Sequence, residues 1–308
     1  MQDSDKKLSA REAVLSARKC ENINDPFDTY VVDYVAIVFT KLFIFLHIIP
    51  NVVTVFSMLS GVAGGILLMM NGVWLNVLGA LLVFLSAVFD ACDGQVARLT
   101  KHYSRMGRWL DGLSDGSVYA TLFAACVVRL WNRPMFDSAL AWHVVIIALG
   151  VLAFALYALQ CQLPDYYKNL HMFMIDNSHG NELSRAKDLK KEHLAAKPFS
   201  FERFALFAYC LYTGAQERRA PNAQKMLDLI ETEGKNDRLT DAFYAGSRRL
   251  VMTTNLMTFN LRTLVLLACV FLRVELAALL FDLIVLEPLR VIILKKYEKL
   301  CKDVIPLI

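Results

Sequence analysis

The sequence predicts an all-α, polytopic membrane protein: a six-transmembrane helix bundle with an N-terminal interfacial helix and a helical cytoplasmic insert. Three observations lead there. The 308 residues are 56% hydrophobic with a mean hydropathy of +0.42, too apolar for an average soluble domain and too long for a single anchor. The apolar residues gather in runs of about 20, the length of helix that crosses a bilayer core. The basic residues fall almost wholly on one side of those runs, which is the bias that orients membrane proteins.

Taken in order, residues 1–32 form a polar N-terminal segment, helix-prone over 9–19, with no short apolar core and cleavage site, so no removable signal peptide is expected. Residues 33–49 are apolar but carry Asp33, Lys41 and His47; they read as a helix lying at the interface before Pro50 turns the chain into the membrane. A seventh span is the alternative there. Residues 50–162 hold the first four spans, 51–70, 73–90, 112–131 and 140–162. Residues 163–249 form a cytoplasmic insert, with charged helical patterning around "NELSRAKDLKKEHLAAK" and "APNAQKMLDLIETEGKNDRLTDAFYAGSRR". Between these, "FERFALFAYCLYTGAQERR" is too short in its apolar run to span and is expected to pack on the bundle or at the interface. Residues 250–296 carry the last two spans, 250–272 and 275–295, and 297–308 form a cytoplasmic tail.

Net charge is small, +4 from 33 Lys and Arg against 29 Asp and Glu, so its placement tells more than its total. Lys and Arg lie in the N-terminal segment, the 90–108 loop, the insert and the "KKYEKLCK" tail, against only Arg129, Arg133 and Arg273 on the other side. Both termini and the aspartate-rich loop are therefore expected in the cytoplasm, whereas seven spans would leave five N-terminal basic residues outside. The seven cysteines show no CxxC pair or metal-ligand spacing and read as small apolar fillers. Nothing points to nucleic acid as a partner; a homodimer is compatible with the reading.

The stretch "FDACDGQVARLTKHYSRMGRWLDGLSDG" brings four carboxylates to the membrane boundary. Asp90 and Asp93 stand three residues apart at the end of the second span, and Asp111 and Asp115 four apart at the start of the third, so each pair shares a helix face. Four such groups repel one another and lose hydration unless a cation collects them. Hard oxygen ligands suit Mg2+, Mn2+ or Ca2+ rather than zinc or copper. Gly94, Ala97, Gly107, Gly112 and Gly116 leave room for a bulky ligand beside the backbone, and Arg98 can face a phosphate. Together these features describe a site for a pyrophosphate. Taken singly, an aspartate at a helix end is usually solvated and a glycine in a membrane helix usually serves packing.

Asp90-x-x-Asp93-Gly94-x-x-Ala97-Arg98, eight residues, then Gly107-x-x-x-Asp111-x-x-x-Asp115 resembles the signature of the CDP-alcohol phosphotransferases, with all eight defining positions present. Pro50-Asn51 at the start of the first span and the six-span plan also resemble that family, over roughly 33–162 and 250–295. The resemblance implies an enzyme of phospholipid synthesis that passes a phospho-alcohol unit from a CDP-linked donor to a hydroxyl acceptor and releases CMP. It implies that Asp90, Asp93 and Asp111 hold Mg2+ or Mn2+, that Asp115 is the general base and a further candidate ligand, and that Gly94, Ala97, Arg98 and Gly107, with Asn51, line the CDP pocket. "GRWLDGLSDG" lacks the "DHGxDS" ending of choline and ethanolamine phosphotransferases and the "LDPxADK" ending of phosphatidylglycerophosphate synthases. CDP-diacylglycerol is the favoured donor; a soluble CDP-alcohol is the alternative.

The later spans carry polar residues that lipid alone does not favour: Asn255, Asn260 and Arg262 in the fifth, Asp282, Glu287 and Arg290 in the sixth. Either Arg262 pairs with Asp282, or Arg262, Asn255 and Asn260 contact the acceptor. His47 and His102 read as solvated. Two other classes compete: an ion transporter using intramembrane carboxylates, which would not require Arg98, Gly107 and the fixed spacing, and a structural relative of the enzyme, which would be expected to have lost an aspartate.

Overall fold

The computed structural model describes residues 27–102, 105–175, 183–197 and 200–308, with no strand among them. The helices are α1 Asp33–Phe45, α2 Pro50–Leu68, α3 Val73–Thr100, α4 Arg105–Trp131, α5 Ala139–Ile175, α6 Ala186–Ala195, α7 Phe201–Arg219, α8 Pro221–Glu233, α9 Asp237–Thr254, α10 Phe259–Leu272, α11 Glu275–Phe281 and α12 Glu287–Val304. Five stretches are long and apolar enough to cross a membrane: α2, α3, Trp109–Trp131 of α4, α5, and Asp237–Leu272, which joins α9 to α10. The chain is an all-α, multi-span membrane protein. Its contacts divide into two compact units, one of residues up to Phe154 with Leu264–Leu279, the other of Ala155–Thr263 with Leu280–Ile308.

In the first unit α2 packs against both α3 and α4. Pro50 occupies its first turn, where a missing N–H costs nothing and the fixed φ suits a helix. Glycines set the helix separation. A Cβ on Gly64 would come within 2.7 Å of the Gly79 carbonyl oxygen of α3, and one on Gly65 within 2.5 Å of Thr121 Oγ1 of α4. Small residues let membrane helices approach this closely, where hydroxyls can hydrogen-bond across the seam. Ser57 Oγ donates to the Ser86 carbonyl at 2.8 Å and Ser60 Oγ to the Leu82 carbonyl at 2.9 Å.

The helix α1, preceded by a π-helical turn at Asp28–Val32, covers the last turns of α3. It buries Ala36 and Phe43 against Val88, Cys92 and Val96, with Phe39, Phe43 and Phe89 in ring contact. Thr40 Oγ1 donates to Gln95 Oε1 at 2.9 Å, and Gln95 Nε2 to Asp33 Oδ1 at 3.4 Å. Val38, Leu42 and Phe45 stay exposed on its other side. This cover gives a physical reason for one departure from the sequence reading. The expected 90–108 loop is mostly helix: α3 runs on to Thr100 and α4 begins at Arg105. Helix-forming residues beyond the apolar run gain a buried face on α1, so the helix carries on past Asp93 to Thr100. The helix ends at Lys101 in the left-handed conformation (φ 56°), with the His102 N–H donating to the Ala97 carbonyl at 3.1 Å.

At the opposite end of these helices Arg129 is buried and fully engaged. Its Nε donates to Glu275 Oε1 at 2.6 Å, and Nη1 to the Leu68 carbonyl at 3.2 Å, the Met70 carbonyl at 2.8 Å and Asn76 Oδ1 at 3.3 Å. Arg133 Nη1 reaches the other oxygen of Glu275 at 3.2 Å. The end of α2, the start of α3, the last turn of α4 and the start of α11 thus share one charge pair. Two of the three arginines on the sparsely charged side are accounted for by this contact.

The second unit contains the later part of α5 with α6–α9 and α12. The charged segments flanking the apolar run of the insert are α6, α8 and α9, and the run itself is α7. Glu298 of α12 accepts the Asn222 N–H at 2.7 Å, placing a carboxylate on the first turn of α8, where the helix dipole favours it. Tyr167 stacks on Tyr297 with centroids 3.9 Å apart, and Arg185 joins Asp228 at 2.6 Å and Glu231 at 3.1 Å. The 275–295 run, read from sequence as a sixth span, is helical throughout, passing from α11 through a π-helical turn Asp282–Leu286 into α12. Pro288 in the first turn of α12 lacks the N–H that would continue the regular ladder.

Removing Glu275 tests the buried clip. Glu275→Ala leaves Arg129 buried without its carboxylate, and the expected cost is about 3–5 kcal/mol. The measurement is the thermal midpoint and monodispersity of the purified variant in detergent, with Glu275→Gln expected to fall between it and the parent.

Candidate active site

All eight motif residues sit on two helices of the first unit. The last turns of α3 carry Asp90, Asp93, Gly94, Ala97 and Arg98; α4 carries Gly107, Asp111 and Asp115. One carboxylate oxygen from each of Asp90, Asp93 and Asp111 lies within 4.8 Å of the others, a spacing at which a single ion could bind all three. Asp115 stands one turn beyond Asp111 on α4 and lies outside that trio.

The surroundings of the trio fit a hard cation. Asp90 Oδ1 is buried and has no hydrogen-bond partner. An ionised oxygen in that position costs several kcal/mol unless something positive completes its shell. Asp93 is held from the other side: Thr54 Oγ1 of α2 donates to Asp93 Oδ2 at 2.5 Å. Oxygen donors alone, with no sulfur or imidazole among the three, match magnesium, manganese or calcium.

Space and positive charge lie beside the carboxylates. A Cβ on Gly112 or Gly116 would meet nothing within 4 Å, so the α4 backbone is open there. Gly94 is tighter: a Cβ there would approach Arg98 Nη1 to 3.1 Å. The guanidinium therefore lies over Gly94, one turn back along α3. Asn51 is in the first turn of α2, three residues before Thr54, and is half-buried. Gly107 and Ala97 are half-buried as well.

Thr54 escaped the sequence reading. A single threonine in an apolar helix carries no pattern of its own, and its role depends on which helix lies opposite.

Asn255, Asn260 and Arg262 belong to the second unit and are all buried. Arg262 Nε donates to Asp282 Oδ1 at 2.7 Å and Nη2 to Gln160 Oε1 at 2.6 Å, with the guanidinium 4.9 Å from the Tyr157 ring centroid. Gln160 Nε2 in turn donates to the Asp282 carbonyl at 3.0 Å. Gln160 was not singled out from sequence, since glutamine in a membrane helix is legible only once its partner is known. Asp282 Oδ2 is buried with no hydrogen-bond partner.

Comparison with known proteins bears on the first unit's motif directly. The family model described as CDP-alcohol phosphatidyltransferase matches residues 47–171, which include Asn51, Thr54 and every motif residue. No curated protein and no solved structure matches the chain significantly. The matched family is one of transferases that move a phospho-alcohol unit from a CDP-alcohol. The similarity to the CDP-alcohol phosphatidyltransferase family thus covers residues 47–171, about two-fifths of the chain, with the whole motif inside it.

Proposed function

We propose that the protein transfers a phosphatidyl group from CDP-diacylglycerol to the hydroxyl of a polar acceptor, releasing CMP, in phospholipid synthesis. The observation that carries this reading is the carboxylate trio of Asp90, Asp93 and Asp111, with Asp90 Oδ1 buried and lacking a partner. Asp90, Asp93 and Asp111 would hold Mg2+ or Mn2+, and such an ion offsets the charge that develops on the transferred phosphoryl and on departing CMP.

The chain's own groups do the rest. Arg98, lying over Gly94, presents its guanidinium to a phosphate oxygen of the donor. Asn51 contacts the nucleotide end, and the open backbone at Gly112 and Gly116 leaves room for the reacting groups. Asp115 accepts the acceptor hydroxyl's proton. The acceptor oxygen bonds to the β-phosphorus as the bond from that phosphorus to the CMP oxygen breaks. Arg262 pairs with Asp282 and Gln160, the first of its two sequence readings; a part for Asn255, Asn260 and Arg262 in recognising the acceptor is proposed from the polar pattern of the sequence alone.

An apolar groove of about 340 Å3 between α4 and α5, lined by Ala120, Phe123, Val127 and Ile147, is a surface that suits the acyl chains of a lipid-linked donor. The charge bias of the sequence supports a site and both termini on the cytoplasmic side.

CMP release by purified protein, with a matrix of CDP-linked donors and hydroxyl acceptors, tests the whole reading. Release is expected only with Mg2+ or Mn2+ present, and full activity in excess EDTA would sink it. Asp115→Asn should keep donor and Mn2+ binding while turnover falls about 10²–10⁴-fold; normal turnover at saturating metal would reassign the base. For the acceptor, Arg262→Gln combined with Asp282→Asn removes both charges and leaves a neutral pair. The expected result is a folded variant with unchanged donor KM and an acceptor KM raised roughly 10- to 150-fold. An unchanged acceptor KM would leave the pair a purely structural role.

A further inference from the structure

The insert's α7 has two working faces. Its polar edge is fastened to α5: Gln216 Nε2 donates to the Gln162 carbonyl at 3.1 Å and to Asp165 Oδ2 at 3.0 Å, Tyr212 Oη to Asp165 Oδ2 at 3.2 Å, and Arg219 Nη1 to Gln162 Oε1 at 2.6 Å. Another face carries Phe204, Phe207 and Leu211, spaced three and four apart on one helical stripe and 60%, 49% and 54% exposed. Leu194 of α6 is 65% exposed, and Lys190, Lys191 and Lys197 are exposed on and beside the same helix.

The level at which α7 is fastened identifies what this apolar face meets. Helix α5 runs unbroken from Ala139 to Ile175. A helix leaves the hydrocarbon about 20 residues after entering it. One entering near Ala139 therefore emerges just before Gln162, which places Gln162 and Asp165 in the interfacial layer and the last turns of α7 with them. Leu211, next to the fastened Tyr212, brings the near end of the apolar stripe to that level, and an apolar stripe beside exposed lysines there has the composition of a segment lying in the headgroup region of an anionic leaflet.

We propose that α6 and α7 form a membrane-surface element, with Phe207 and Leu211 inserted into the interfacial layer of the bilayer that the chain spans and the exposed Lys190 and Lys197 set among anionic headgroups. The inference rests on the chain spanning a bilayer but not on the identity of its substrates. It gives the insert a role that the family motif does not supply: bracing the cytoplasmic end of α5 against the membrane.

The test is photo-crosslinking of the full-length protein in phosphatidylcholine vesicles containing phosphatidylserine, with benzoylphenylalanine placed in turn at Phe207, Leu211, Glu202 and Leu81. Glu202 is exposed elsewhere on α7, and Leu81 is 59% exposed on α3. Lipid adducts are expected at Phe207 and Leu211 in several-fold excess over Glu202, and in lower yield when phosphatidylserine is omitted. Lipid labelling at Leu81 with none at Phe207 overturns the docking while leaving the membrane reading intact. Loss of labelling at both overturns the membrane reading itself. A Phe207 adduct to a second protein chain replaces the bilayer with a protein partner, and equal yields in both vesicles overturn the anionic part.

Discussion

The first unit depends on one helix seam. Along α2, Thr54, Ser57, Gly61, Gly64, Gly65 and Leu68 are all buried, spaced so that they form one face. At one end that face gives Thr54 to Asp93; in the middle it is glycine against the backbone of α3 and the Thr121 side chain of α4; at the other end its last carbonyl, that of Leu68, goes to Arg129. The aspartates of α3 and α4 would repel one another apart if their helices were free to separate. A third helix bound to both of them at van der Waals distance removes that freedom. The carboxylate trio is therefore held ready for a cation, and the cost of gathering the charges is met by packing elsewhere in the unit.

Each unit also buries one arginine on one carboxylate, Arg129 on Glu275 and Arg262 on Asp282, with every group at most 3% exposed. Replacing such pairs with apolar residues often stabilises a protein, so their presence argues for register more than for strength. Arg129 fits that description well: it reads the ends of four segments at once, and a helix shifted by a turn would leave a buried charge unanswered. Arg262 is held in one orientation by a carboxylate, an amide and a ring face. One oxygen of Asp282 stays without a partner, which distinguishes this pair from Glu275, whose two oxygens are both engaged.

Much of this was legible in the sequence because apolar length and fixed spacing are local properties. The run at 51–70 became a helix close to those bounds, 112–131 became the later part of α4, and the helical faces put Asp90, Asp93 and Asp111 together. What failed to show was decided by partners. Nothing in residues 91–100 announces that the second helix continues past the apolar run, because the reason lies in α1, which buries Cys92 and Val96. The π-helical turn at Asp282–Leu286 depends on one proline in a segment whose apolar content reads as a regular helix. Thr54 and Gln160 are ordinary residues until Asp93 and Arg262 are found beside them. Arg129 and Arg133 counted in the charge pattern only as exceptions, since a pairing with Glu275, more than 140 residues away, leaves no local trace.

The left-handed turn at Lys101 sets a constraint on the length of the chain around it. It ends one aspartate-bearing helix within a few residues of the start of the next, so the angular phase of α4 relative to α3 is fixed by the length of the connection. Adding or deleting a residue would rotate Asp111 by about 100° about its own axis unless the turn absorbed the change. The eight-residue gap between Arg98 and Gly107 is thus a mechanical setting, in which the number of residues matters more than the letters.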